Sequence, residues 1–246
     1  MAAAADISVE DLLEQRNATY KLLARLYQVE VDQELYDFLC SMRIPAHSGN
    51  ADVDEGYRMI VSYLSTPRTG VLTELAVDYT RTFIGAGNDG YSAAYPFESV
   101  YTSPKRLLMQ GARDEVLVIY RANGIDKSDS WKDGEDHIAL ELEFMQVIGE
   151  RLLDAFRTGE DAKVDSLLET QRHFLEDHLL AWFPMMCADM GRFAKTDFYR
   201  GLAKLTMGYM ACDLEFLEDA LDGERGDEEG GRGEEASRTA EGGDGR

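Results

Sequence analysis

Apolar side chains recur along this chain at steps of three and four residues, and nowhere do they alternate with polar ones long enough to build a sheet. That period belongs to helices packed on one face, so the sequence predicts an all-α fold. The start signals agree. Ser8 opens S-V-E-D, a capping-box-like sequence, ahead of Val9, Leu13, Tyr20, Leu23 and Tyr27 at helical spacing. Asp32 opens a second helix whose apolar face carries Leu35, Phe38, Leu39 and Met42. After a break at Pro45 to Gly49, helices are predicted over about 52–64 and 69–84, the second presenting Leu72, Leu75, Ala76, Tyr79 and Phe83.

From Gly85 to Ser103 the pattern gives way to GAGNDGYSAAYPFESVYTS, rich in glycine and aromatic residues. A loop of this length inside a compact domain is usually functional, and its aromatics argue for order. Ser103-Pro104 then supplies an N-cap and a first-turn proline for a helix interrupted near Gly111 and reaching Tyr120, with Gly124 as its C-terminal cap. Residues 125–137 read as a hinge between an N-terminal half, 1–124, and a C-terminal half, 138–221. Helices are predicted over about 136–158, 160–181, 184–192 and 197–221, punctuated by Gly159, Pro184 and Lys195-Thr196-Asp197.

The formal net charge is −22. Residues 222–246 hold nine acids and four arginines among glycines and few apolar side chains, so this tail is expected to be disordered. Removing its net −5 leaves −17 on the rest. Such a body repels nucleic acid and suits a basic peptide, although the charge can equally serve solubility alone. No stretch reaches the roughly 20 apolar residues of a membrane span, and Met1 to Asp6 lacks the basic start of a secretory signal. Cys40, Cys187 and Cys212 are odd in number, without CxxC spacing, and sit in apolar helical contexts that point to core packing. The chain thus reads as a protein of a reducing cytoplasm.

Chemistry is sparse. A dimetal bundle needs Glu-x-x-His pairs, yet Ile44, Gly134, Thr170 and Leu175 stand three residues before His47, His137, His173 and His178. H-E-x-x-H, a phosphate-binding G-x-x-x-x-G-K-[ST] and G-x-S-x-G are all missing, so no metal, cofactor or catalytic residue is expected. The densest polar cluster is Asp133-Gly134-Glu135-Asp136-His137, directly before the apolar run IALELEFM. Two readings stand side by side. Asp133 and Asp136 can cap the following helix, or the acids and histidine can meet a ligand at the mouth of the hinge.

D133-G-E-D-H137 ahead of IALELEFM resembles the hinge motif E-P-x-D-H of the TorD/DmsD-like chaperones for molybdopterin oxidoreductases, with Asp136 and His137 matching and Asp133 and Gly134 departing. D78-Y-T-R-T-F83 is similar to that family's aromatic-x-x-Leu-Phe element, with Thr82 in place of leucine. P96-F-E-S-V-Y101 followed by S103-P-K-R-L-L108 resembles its P-x-E-S-x-Y loop, and F174 to P184 with D197 to A203 resembles its C-terminal helices. The resemblance runs from about Ser8 to Leu221.

It implies a cytoplasmic chaperone that binds the twin-arginine-type N-terminal signal of a molybdoenzyme catalytic subunit and holds the apoenzyme until its cofactor is inserted. The peptide-contacting residues it implies are Tyr79, Phe83, Pro96, Phe97, Glu98, Ser99, Tyr101, Glu135, Asp136 and His137. The hinge would permit a monomer or a domain-swapped dimer. Two other readings stay open, a helical metal-dependent enzyme using His137 and nearby acids, and an acidic scaffold or regulator.

Overall fold

The structure is a computed structural model that describes residues 7–43, 47–85 and 92–240, without side chains from 224 on. Ser8 caps the first helix, α1 (Val9–Gln28), its hydroxyl accepting from the Asp11 amide at 3.1 Å. Asp32 does the same for α2 (Gln33–Ser41), and Asn50 for α3 (Ala51–Ser65). These caps satisfy amides that a helix start leaves without partners. In α2, Leu35 and Leu39 are buried, but Phe38 is 52% exposed, contrary to its predicted place on the core face. It lines instead an apolar groove of about 350 Å³ with Leu22, Met42 and Tyr57, between α1, α2 and α3. Cys40 is likewise exposed and Cys212 only partly buried, contrary to the core packing expected of them, while Cys187 packs partly buried against the core.

Helix α4 (Val71–Tyr79) widens into a π-helical turn, Thr80–Ile84, that ends at Gly85 with φ 70°. The predicted loop that follows contains a short helix, α5 (Glu98–Thr102). No helix begins at Pro104. The Ser103 hydroxyl accepts from the Leu107 amide at 3.1 Å, as a cap would, but Arg106 at φ 51° leaves helical space and stops propagation. Helix α6 (Gly111–Ala122) follows, and residues 125–137 connect it to α7 (Ile138–Thr158).

Helix α8 (Asp161–Phe174), a second π turn (Leu175–Leu179) and α9 (Leu180–Phe193) are continuous through Pro184, where a break was predicted. Proline cannot bond the carbonyl four residues back and crowds it. That carbonyl belongs to Leu180, where the wide turn has just ended, so the helix bends there without stopping. The last helix, α10, spans Asp197–Ala240. The disorder expected of 222–246 concerns a stretch whose side chains lie mostly outside the described residues. Leu221 is the last buried side chain among those described.

One core joins both ends of the chain. Helix α7 buries most of its residues, with α1 on one side and α8 on another, while α3 lies along α10. At that last crossing a Cβ on Gly56 would stand 2.5 Å from the Leu205 amide nitrogen, and one on Gly201 would stand 2.8 Å from the Gly56 carbonyl oxygen. The helices touch backbone to backbone. Arg16 of α1 ties to Asp213 of α10 by two hydrogen bonds, at 2.5 and 2.9 Å, inside the core.

Candidate peptide-binding site

Residues 96–98 run antiparallel to residues 136–138. Glu98 N donates to the Asp136 carbonyl at 2.9 Å, Ile138 N donates to the Pro96 carbonyl at 3.0 Å, and Phe97 bridges to His137. This pairing holds His137 extended, so α7 begins one residue later than a cap at Asp136 would place it. His137 is its cap, Nδ1 accepting from the Ala139 amide at 3.0 Å. Neither Asp133 nor Asp136 caps α7, contrary to that reading of the sequence. Asp136 caps α5 instead, its Oδ2 accepting from the Ser99 amide at 2.9 Å. The motif acid therefore does cap a helix, but one 37 residues upstream in sequence.

The His137 ring stands edge-on to Phe97 and Trp131, with centroids 4.9 and 5.0 Å away. Burial pushes its pKa down to about 3, so the ring is neutral and can accept from Ala139. Glu135 is buried yet satisfied. Burial raises its pKa, but hydrogen bonds from Arg113 at 2.5 Å and Lys127 at 3.0 Å outweigh that and hold it below the ordinary carboxylate value.

Glu98 has a different environment. Its carboxylate meets His178 Nδ1 at 3.0 Å and the carboxyl of Glu141, a residue absent from the sequence-derived site. Glu141 accepts from Trp182 Nε1 at 3.0 Å, and its pKa is driven well above the usual value by burial first and then by Glu98 and Asp136. Among the described residues neither Asp136 Oδ1 nor Glu141 Oε1 has a hydrogen-bond donor. Among the described residues no arrangement of three His, Cys, Asp or Glu side chains could hold a metal ion.

Tyr101 stacks on Trp182 at 5.6 Å and donates to Asp189 at 3.3 Å, beneath the Arg106 guanidinium. Phe97, Glu98, Ser99, Tyr101, Asp136 and His137, next to Pro96 and Glu135, thus form one neighbourhood. Tyr79 and Phe83 belong to another, an aromatic cluster with Tyr27 and Tyr199 in which the Tyr79 hydroxyl donates to the Tyr27 carbonyl at 2.9 Å.

Glu141 left a trace in the sequence. Ile138, Glu141, Met145, Ile148 and Leu152 follow the three-four step of the buried face, so one acid occupies an apolar stripe. His178 sits in the same way between Phe174 and Trp182.

The chain's relatives agree with the family resemblance. It is 28% identical to the chaperone protein TorD of Photobacterium profundum over 66% of this chain and 72% of the relative. The TorD of Vibrio atlanticus is 24% identical over 83% of this chain and 95% of its own. The TorD of Vibrio cholerae serotype O1 (El Tor Inaba) is 27% identical over 59% and 63% respectively. The family described as nitrate reductase delta subunit matches residues 48–188, more than half the chain and all of the loop–hinge neighbourhood. The chain belongs to that TorD-like family.

Proposed function

We propose that this protein is a cytoplasmic chaperone for the catalytic subunit of a molybdopterin-dependent oxidoreductase. It binds the subunit's twin-arginine-type N-terminal segment and holds the apoenzyme until cofactor insertion and export. The observation that carries this reading is the chemistry under the 96–98/136–138 pairing. Glu98, Asp136 and Glu141 gather in the protein interior, where among the described residues their one basic hydrogen-bond partner is His178 and none is lysine or arginine. Buried carboxylates are normally paired with cations, and a guanidinium suits them because its planar donors reach two oxygens at once. Phe97, Tyr101 and Trp131 offer apolar surface beside them for the rest of a signal segment.

Calorimetric titration with a synthetic peptide carrying two adjacent arginines and an apolar stretch tests the reading. Asp136→Asn keeps an acceptor for the Ser99 amide and removes the charge. It is expected to weaken binding by roughly 1–3 kcal/mol while leaving the melting temperature nearly unchanged. Unchanged affinity with a lowered melting temperature would reduce Asp136 to the cap of α5.

A further inference from the structure

The acid cluster cannot be fully ionised in the free protein. Glu98 and Glu141 face each other within hydrogen-bonding reach, and two carboxylates make such a bond only if a proton lies between them. Among the described residues no lysine or arginine bonds to these acids, and the one basic side chain in contact with them is His178, whose Nδ1 meets Glu98 at 3.0 Å. From α5 come Glu98 and the Ser99 amide, from the hinge Asp136 and neutral His137, from α6 the Tyr120 hydroxyl, from α7 Glu141 and Glu143, and from the second π turn and α9 His178 and Trp182. Arg113 and Lys127 are spent on Glu135.

The cluster also has a thin roof. Gly134 is buried, and a Cβ there would stand 2.6 Å from Asp136 Oδ1, the oxygen without a donor. On the other side of that position lies Met109 Sδ, at 3.5 Å. Met109 and Arg106 hold left-handed backbone, at φ 57° and 51°, and Leu107, Leu108 and Met109 are each about half exposed. Residues strained in this way cost on the order of 1 kcal/mol each, so displacing them is cheap. The half-exposed strap of residues 107–109 thus lies next to the glycine that adjoins Asp136.

We propose that the Glu98–Asp136–Glu141 cluster binds a guanidinium group by exchanging it for the proton held between Glu98 and Glu141, with entry beneath Met109 at Gly134. This deepens the chaperone reading and rests on it. The exchange balances. The Glu141 carboxyl gives its proton to solvent, the guanidinium takes its place as counter-charge, and no covalent bond to the ligand forms or breaks. Binding is therefore linked to proton release, and affinity rises with pH in the range where the free protein keeps the proton and the complex does not.

The test is titration of the full chain with the same twin-arginine peptide in phosphate and in Tris, whose ionisation enthalpies differ. The expected result is release of close to one proton, with binding at least about fivefold tighter at pH 8 than at pH 6, against a ceiling of tenfold per unit. Glu141→Gln keeps the Trp182 hydrogen bond, abolishes the buffer-dependent heat and flattens the pH profile. Infrared spectra at pH 7 report on the proton without ligand, since wild type shows a protonated-carboxyl band that Glu141→Gln lacks. If the peptide binds with equal heats in both buffers and the band is missing, the exchange is overturned while the chaperone reading stands. If the band is present but the peptide fails to bind at any pH, the binding-site reading falls and the exchange with it.

Discussion

At His137 a single ring fills two structural roles, and the capping role requires it neutral. Its Nδ1 caps α7, and its faces and edges pack on Phe97 and Trp131. In the unfolded chain the ring takes a proton near the ordinary value of 6.5, whereas the folded ring resists until about 3. Folding stability from this residue is thus complete above about pH 6.5 and declines as pH falls through that window. His137→Asn, which still caps, is expected to lessen the drop in melting temperature between pH 6.5 and 4. Glu141 has the opposite sign. Its folded carboxyl holds a proton far above the unfolded value of 4.5, so it costs stability as pH rises beyond 4.5. Glu141→Gln should raise the melting temperature at pH 8 and change it little at pH 4, as thermal unfolding monitored by circular dichroism will show.

Helix identity was legible because each helix buries one stripe, and the caps at Ser8, Asp32 and Asn50 mark where stripes begin. Their junctions were less so. Pro184 signals a break in any local reading, since the compensating π turn makes no mark of its own in composition. Asp136 read as a local cap because sequence proximity favours α7, whereas the ladder to residues 96–98 that redirects it is tertiary. The loop and 135–137 residues of the candidate site lie in one neighbourhood, whereas Tyr79 and Phe83 lie in another. Glu141 was visible only as an acid on an apolar stripe. The α3–α10 crossing was hidden altogether, because a glycine in a helix looks merely weak until its partner is known. Gly56→Ala, which raises intrinsic helix propensity, is therefore expected to destabilise by at least about 1–3 kcal/mol in urea unfolding, since the added methyl meets backbone and not a flexible side chain.

Across the whole molecule the charge of −22 sets the reach of any cationic partner's attraction. Peptide association should slow as salt is raised from 50 to 500 mM, while the slower fall in overall affinity reports the buried contacts that salt screens poorly. Among the described residues no helix is long and apolar enough to cross a membrane. The pairing of α1 with α7 and α3 with α10 has a consequence in time. A ribosome releases α1 and α3 well before the helices that cover them, so a fragment of residues 1–124 should show little stable helix by circular dichroism. During its own synthesis this chain presents the same hazard as the client proposed for it, an early segment left without its late-arriving partner.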